Sequence, residues 1–395
     1  MVMVADSLPK FNRFLHPLGL KDVPRQMVMR VMIAFMMHFG RMSCLQAAGT
    51  LQSQTRHRAQ VSRFLARPRW RARDLNGQLR ESVLQMETSP GPFLFIVDAT
   101  LCSQQGKKTQ NTHSTGNRRR RPKRGRRYGK NKHARKNCHT FTGGLLITPS
   151  GIRIPFQRPH YTKEYCQEKG LTHRTTAESA ADMIRELPLP EDAEVIVLGD
   201  TAYDAKTLRK ACDERNYTWI VPCNPERVLA GEKPRPKVRS LLKDWSKKSL
   251  KTIRFIPANG KYAEYRRLSR YRIGPKAKSR TYYVHQEKRD VHSVGKVQLV
   301  FSTMKRELKK ATPDDVKILM TNNLRMSVRE VIELYSVRWQ IELFFKELKS
   351  TLGFHQYQFQ NFEAVEGWVE LALATVLYLE WYRAQQLARR GLSER

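Results

Sequence analysis

Apolar and polar positions recur along this chain with different periods, and each period predicts a different kind of element. From Val23 to about Leu75 the spacing is helical, in MVMRVMIAFMMHFG, SCLQAAGTL and TRHRAQVSRFLARPRW, which predicts three short helices. After Gly91 the texture changes to PFLFIVDAT, an apolar, β-branched and aromatic run that predicts a buried central strand ending on Asp98. HTFTGGLLITPSG and IRIPFQRPHY read as two antiparallel strands joined at Pro149, Ser150 and Gly151. TAESAADMIREL reads as a helix capped by Thr175 or Thr176, and EVIVLGDTAYDA as a strand ending on Asp200. AKTLRKACDERN then supplies a helix and YTWIVPCN a strand. Strands and helices in this order predict an α/β protein, a mixed sheet with helices on its faces.

Between 225 and 313 the period shortens again. SLKTIRFIPA, KYAEYRRLSRYRI, RTYYVHQEK and KVQLVFSTM are strand-like with basic residues at alternate positions, the pattern of an inserted β-rich subdomain with a cationic face. VKILMTNN is expected to return to the main sheet. SVREVIELYSVRWQIELFFKELKSTLGF reads as one helix from a Ser327 cap, and EGWVELALATVLYLEWYRAQQLA as a last apolar helix. The expected organisation is an all-helical N-terminal domain, 1–88, followed by a core in two parts, 89–224 and 314–395, around the insertion at 225–313. No internal repeat is visible.

Composition narrows the class. The chain has 40% apolar and 9% aromatic residues, enough for an ordinary core, and 73 Lys and Arg against 36 Asp and Glu, a formal charge of +37. Such an excess points to a polyanion as partner. The charge is also clustered. Within a basic arm at 105–137, NRRRRPKRGRRYGKNKHARK presents Arg118, Arg119, Arg120, Arg121, Lys123, Arg124, Arg126, Arg127 and Lys130 with no acidic residue nearby. That is an arm ordered by nucleic acid or a solvated loop. The third N-terminal helix carries Arg56, Arg58 and Arg63 beside Val61, Phe64 and Leu65, as in a DNA-reading helix of a helix-turn-helix or in a packing helix with a solvated basic side. Six scattered cysteines without a CxxC pair suit the reduced thiols of a cytoplasm. Met1 to Arg25 has no continuous apolar core of a signal peptide. The longest apolar runs, broken by Arg30 and Glu380, fall short of the ~20 residues a bilayer requires, so no membrane partner is expected.

Candidate chemistry lies on the helix near residue 340. At ~100° per residue, Tyr335, Arg338, Glu342 and Lys349 share one narrow stripe. Leu334, Val337, Ile341, Phe344, Phe345 and Leu348 form the buried side, with Glu333 and Glu347 exposed elsewhere on the wheel. Trp339 reads more readily as a packed or half-buried aromatic than as a stacking platform for a flipped base. Asp98 and Asp200 end apolar strands, and the carboxyl ends of central strands are where sites form in open sheets. Asp204 competes with Asp200 and is read as a cap of the following helix. Asp98, Asp200 and Glu342 in one place would repel unless cations lay between them, and all-oxygen ligands suit Mg²⁺ or Mn²⁺. Two such ions ~3.5 to 4 Å apart could activate a water or a 3′-hydroxyl for in-line attack on a phosphodiester.

IVDAT at Asp98, VLGDTAYD at Asp200 and the Tyr-x2-Arg-x3-Glu-x6-Lys spacing of Tyr335, Arg338, Glu342 and Lys349 together resemble a known family. The sequence resembles the DDE transposases of bacterial insertion sequences, of the insertion-sequence-four type, over roughly Phe93 to Trp381. The resemblance implies an RNase H-like core with a β-rich insertion, and catalytic, metal-holding roles for Asp98, Asp200 and Glu342. It further implies that hydrolysis exposes a 3′-hydroxyl at the element end, which then attacks target DNA. Tyr335, Arg338 and Lys349 would hold DNA phosphates near the cleaved end. Its implied partners are transposon-end and target DNA, with a homodimer in the synaptic complex of a bacterial nucleoid. The chain stops soon after the last core helix, without the long carboxy-terminal dimerisation region of some relatives, and its basic arm is longer than the family leads one to expect. A domesticated DNA-binding regulator, a structure-specific nuclease on the same core and a basic RNA-binding protein are the competing readings.

Overall fold

The computed structural model describes residues 8–37, 42–49, 58–66, 75–104, 106, 108–115, 136–231, 235–242, 250–256, 261–266, 279–305 and 315–389. Arg56, the side chain of Arg58 and the arm residues Arg118, Arg119, Arg120, Arg121, Lys123, Arg124, Arg126, Arg127 and Lys130 lie outside the described residues.

The N-terminal part is helical, with α1 (Leu8–Leu15), α2 (Asp22–Met37), α3 (Cys44–Gly49), α4 (Arg58–Leu65) and α5 (Leu75–Leu84). The middle three are those the apolar spacing predicts. In α4, Val61 and Leu65 are buried while Arg63 is exposed, its Nε donating to the Ala59 carbonyl at 3.2 Å.

A mixed sheet follows. Its strands are β1 (Phe93–Gln104), β2 (His113–Thr115), β3 (Lys136–Ile147), β4 (Arg153–Pro159), β5 (Val195–Leu198), β6 (Thr218–Pro222), β7 (Lys251–Phe255), β8 (Arg280–Val291), β9 (Gly295–Thr303) and β10 (Lys317–Thr321). Among the described residues they form one ten-stranded sheet in the order β2-β3-β1-β5-β6-β10-β9-β8-β7, with β4 paired to β3. β1, β5 and β6 are parallel neighbours, and β10 closes antiparallel on β6, as expected of VKILMTNN. The strands of the 225–313 stretch continue this same sheet through β9 and β10. KYAEYRRLSRYRI departs from its expected strand. Where it is described, it forms a 3-10 turn, Glu264–Arg266, because Tyr262 and Tyr265 both bury at helical i, i+3 spacing and the Tyr265 hydroxyl donates to the Pro92 carbonyl at 2.5 Å.

Helices α6 (Lys163–Lys169), α7 (Thr176–Arg185) and α8 (Lys206–Glu214) connect the strands, and α9 (Val328–Val337), α10 (Trp339–Ser350) and α11 (Phe362–Arg389) follow β10. Thr175 and Ser327 cap α7 and α9 through reciprocal boxes with Glu178 and Glu330, each cap contributing about 1 kcal/mol. The single helix expected from Ser327 to the Lys349 region is two. At Arg338 the backbone bonds shorten to three-residue spacing, with Arg338 N donating to the Tyr335 carbonyl (3.1 Å) and Ile341 N to the Arg338 carbonyl (3.3 Å). Such a tightened turn advances side chains by about 120° per residue, which shifts Glu342 relative to Tyr335 on the wheel.

α11 is buried on most sides and joins the two parts of the chain. Phe11 stacks on its Tyr378 at 3.8 Å between ring centroids, and Phe35 meets its Trp368 edge-on at 4.8 Å. Glu380, which interrupts the apolar run in sequence, is buried in ion pairs with Arg153 (2.7 Å) and Arg383 (3.0 Å). No helix among the described residues is long and apolar enough to cross a membrane.

Candidate active site

Strand register sets the level of the two aspartates. β1 and β5 pair in parallel up to Ile96 and Leu198, and Asp98 and Asp200 each follow that rung by two residues. Two residues is one full side-chain period of a strand, so both aspartates leave the sheet toward the same face, past the point where β5 ends. Asp200 ends its strand as expected. Asp98 does not: β1 runs on to Gln104 because β3 pairs with it throughout, from Leu94↔Ile147 to Gln104↔Asn137. Asp98 is instead the place where β1 outlasts its other neighbour.

Helix α10 is held against this place by a glycine. Gly143 is the β3 partner of Asp98, and a Cβ built on it would come within 2.6 Å of the Phe345 ring. Only a bare backbone lets α10 approach so closely. Leu334, Val337, Ile341, Phe344 and Leu348 are buried as the helical wheel requires, and Phe345 is half-buried over Gly143. Glu333 departs from the wheel. It is 3% exposed, taken into the core on α9 and paired with Arg329 at 3.1 Å.

Arg338 links two of the three carboxylates, with Nη1 at 3.5 Å from Asp98 Oδ2 and Nη2 at 2.5 Å from Glu342 Oε1. Asp98 Oδ1 accepts from the Ala99 amide at 2.8 Å, and Asp200 Oδ1 caps the short turn Thr201–Tyr203 by accepting from the Ala202 amide at 2.8 Å. Burial, the largest cause, raises the Asp98 carboxyl above the usual aspartate range; Asp200 and Glu342 add to the rise, while the Ala99 amide and Arg338 oppose it. Against burial, which works the other way, Tyr335, Glu342 and Asp98 hold Arg338 more firmly charged. Burial pushes the Tyr335 phenol up to about 12. Lys349 donates to the Leu101 carbonyl at 2.9 Å, three residues further along β1, roughly 10 Å from Asp98.

Trp339 is about half-buried. It is 55% exposed, beside Arg338. Asp204 is not the cap of α8: Ala205 holds that position without a side-chain bond. Asp204 is buried instead between Arg209 and Arg227, accepting from Arg209 Nη1 and, at 2.7 Å, from Arg227 Nε. Two flanking guanidiniums pull its carboxylate into the core, away from the level of Asp98.

Sequence reading passed over three neighbours of this site. Gly143 was signalled by a Gly-Gly pair inside a strand-like run. Tyr203, in the GDTAYD segment, is buried with a hydroxyl that has no hydrogen-bond partner among the described residues, and burial followed by the charges of Asp98 and Asp200 raises its pKa. Lys317, 4.3 Å above the Tyr335 ring, carried no signal at all.

The donor chemistry fits a hard divalent cation: three carboxylates, no thiol or imidazole, and an Asp98 already raised in part by its acidic neighbours. Among the described residues, no group of three or more His, Cys, Asp or Glu side chains is gathered closely enough to hold a metal, and the positive charge between Asp98 and Glu342 comes from Arg338.

The structure thus sets a mixed α/β sheet flanked by helices, with acidic side chains past the ends of adjacent parallel strands, where sites form in open sheets. The family follows from comparison. The transposase DDE domain matches residues 167–378, more than half of the chain, and the DDE superfamily endonuclease domain matches residues 18–244. The chain belongs to the DDE transposases. The first match spans Asp200 and Glu342, the second Asp98 and Asp200. No curated protein matches the chain.

Proposed function

We propose that this chain is a transposase that cuts transposon-end DNA and transfers the exposed 3′-hydroxyl into target DNA, with Asp98, Asp200 and Glu342 as its catalytic, metal-holding carboxylates. The observation that carries this reading is the common level of Asp98 and Asp200 beyond the Ile96↔Leu198 rung, with Arg338 reaching both Asp98 and Glu342. The complete spacing of Tyr335, Arg338, Glu342 and Lys349 supports the insertion-sequence-four-type subgroup.

Two Mg²⁺ or Mn²⁺ ions held by the three carboxylates would supply Lewis acidity and a more acidic water. The chain's own residues provide the setting. Arg338 presents a planar guanidinium that can exchange Glu342 for a phosphate oxygen of DNA, freeing the glutamate. Lys349, on the carbonyl of Leu101, would mark a phosphate position farther along β1, roughly 10 Å from Asp98. Tyr335 is buried and stays protonated at neutral pH, so its role is to orient Arg338 rather than to carry charge. Exposed Trp339 is available for a base to stack on, worth about 1–3 kcal/mol per base.

In this reading the core is RNase H-like, with 225–313 as its β-rich insertion. The helical part, 1–88, would contact DNA through Arg56, Arg58 and the exposed Arg63. The arm at 105–137 would neutralise phosphate. Two copies would pair the element ends in a synaptic complex at the nucleoid of a bacterial cytoplasm. The test is substitution. Asp98→Ala, Asp200→Ala and Glu342→Ala should each lower cleavage by about 1,000-fold or more while end-DNA binding persists. Cleavage retained in any one of them removes that residue from the site.

A further inference from the structure

β1 extends the site away from the carboxylates. Every second residue from Asp98 shares its face, so Thr100 and Cys102, both buried, and then Gln104 at the rim lie on that side of the strand. Lys349 lies over this run at Leu101. Just past it opens a cleft of about 710 Å³ whose lining includes Gln104, Thr109, His355, Gln356, Gln358 and Gln360. Three of the four glutamines come from one short segment, HQYQFQ, where they alternate with His355, Tyr357 and Phe359.

The chemistry of this lining differs from that of the chain as a whole. In a protein of formal charge +37, no charged side chain among the described residues lines the cleft. Phosphates are held by cations, whereas neutral amides place a donor beside an acceptor, the pattern that matches the edge of a base and of adenine in particular. His355 belongs to the same set. Its Nδ1 is buried without a hydrogen-bond partner among the described residues, and burial followed by the Lys349 charge lowers its pKa, leaving a neutral ring with one donor and one acceptor. Gln356 is fixed in place by accepting from the Met42 amide, which ties the cleft to the N-terminal helices.

We infer that this cleft reads base edges of the transposon-end DNA, about six base pairs from the phosphate that is cut. The spacing follows from β1: six residues of strand from Asp98 to Gln104 cover ~20 Å, roughly six steps of 3.4 Å along a DNA strand. The inference rests on the transposase reading. It assigns the site three successive tasks along the length of β1: chemistry at Asp98, phosphate holding at Lys349, and sequence reading at the exposed Gln358 and Gln360.

The test is selection by the full chain from duplexes randomised over ten base pairs inward from a fixed end, with Gln358→Ala and Gln360→Ala alongside. Both glutamines are exposed, so their substitution leaves the fold intact. Wild type should enrich particular bases, adenine among them, about five to seven pairs in. Each variant should weaken that enrichment about tenfold while leaving the salt dependence of binding unchanged. Wild type that binds these duplexes without preference there, or variants whose preference equals wild type, would overturn the inference and leave the transposase reading standing. A wild-type chain that binds no duplex would overturn both.

Discussion

Asp98 is an aspartate whose ionisation the fold opposes. Burial first, then the charges of Asp200 and Glu342, raise its carboxyl above the ordinary value of 3.8. The folded chain therefore holds that proton more tightly than the unfolded chain. Stability contributed at this position falls as pH rises from 3.8 to the raised folded value, and stays lower above it. Asp98→Asn removes the ionisation and should melt at a higher temperature than wild type at pH 7, with the gain vanishing below about pH 4. Thermal unfolding across that range checks it, and equal melting temperatures at pH 7 would count against the account. At this scale the sequence was informative where position along an element decides the environment. The buried Leu334, Val337 and Ile341 follow from helical spacing alone, whereas the tightened turn at Arg338 interrupts the stripe expected of Tyr335, Arg338 and Glu342. Glu333 was misplaced because tertiary packing, which helical spacing does not show, takes it into the core, where it is 3% exposed and paired with Arg329 one turn back.

At the scale of elements, what separates Asp200 from Asp204 is which strand end each is tied to. Asp200 belongs to the end of β5, whereas Asp204 is the buried centre of an ion cluster that joins α8 to the segment after β6 through Arg209 and Arg227. Asp204→Ala would strand two guanidiniums and should cost about 3–5 kcal/mol of stability in denaturant unfolding. Asp200→Ala, half-buried with one backbone bond, should cost far less. A reversed order would undo the assignment. Strand and helix positions were largely legible, from PFLFIVDAT to VKILMTNN, because buried strands and capped helices carry strong local patterns. The run of β1 beyond Asp98 was not, since its second half pairs on one side only and alternates Thr100 and Cys102 with exposed Leu101 and Ser103. The break at Arg338 leaves no proline or glycine to mark it, so spacing alone could not reveal it.

For the whole molecule, charge and topology point to the same partner. A formal charge of +37 suits a polyanion, and the sheet brings Asp98 and Asp200 to one level, with Arg338 on Asp98, where a phosphodiester could enter. The N-terminal helices pack on α11 through Phe11, Phe14 and Phe35, so the helical part and the core share one apolar interior. That joining was invisible in sequence, where α11 reads only as an apolar helix and its partners lie more than 300 residues away. The central claim is that this chain breaks and rejoins DNA at these carboxylates. Its most direct test incubates the purified chain with transposon-end DNA and a supercoiled target, in Mg²⁺ or in EDTA, and resolves the strands on a denaturing gel. Metal-dependent 3′ cleavage together with joined products, both lost in Glu342→Ala, is the predicted result. Binding of the ends with no strand cut or joined in any metal would contradict it and leave a DNA-binding regulator in its place.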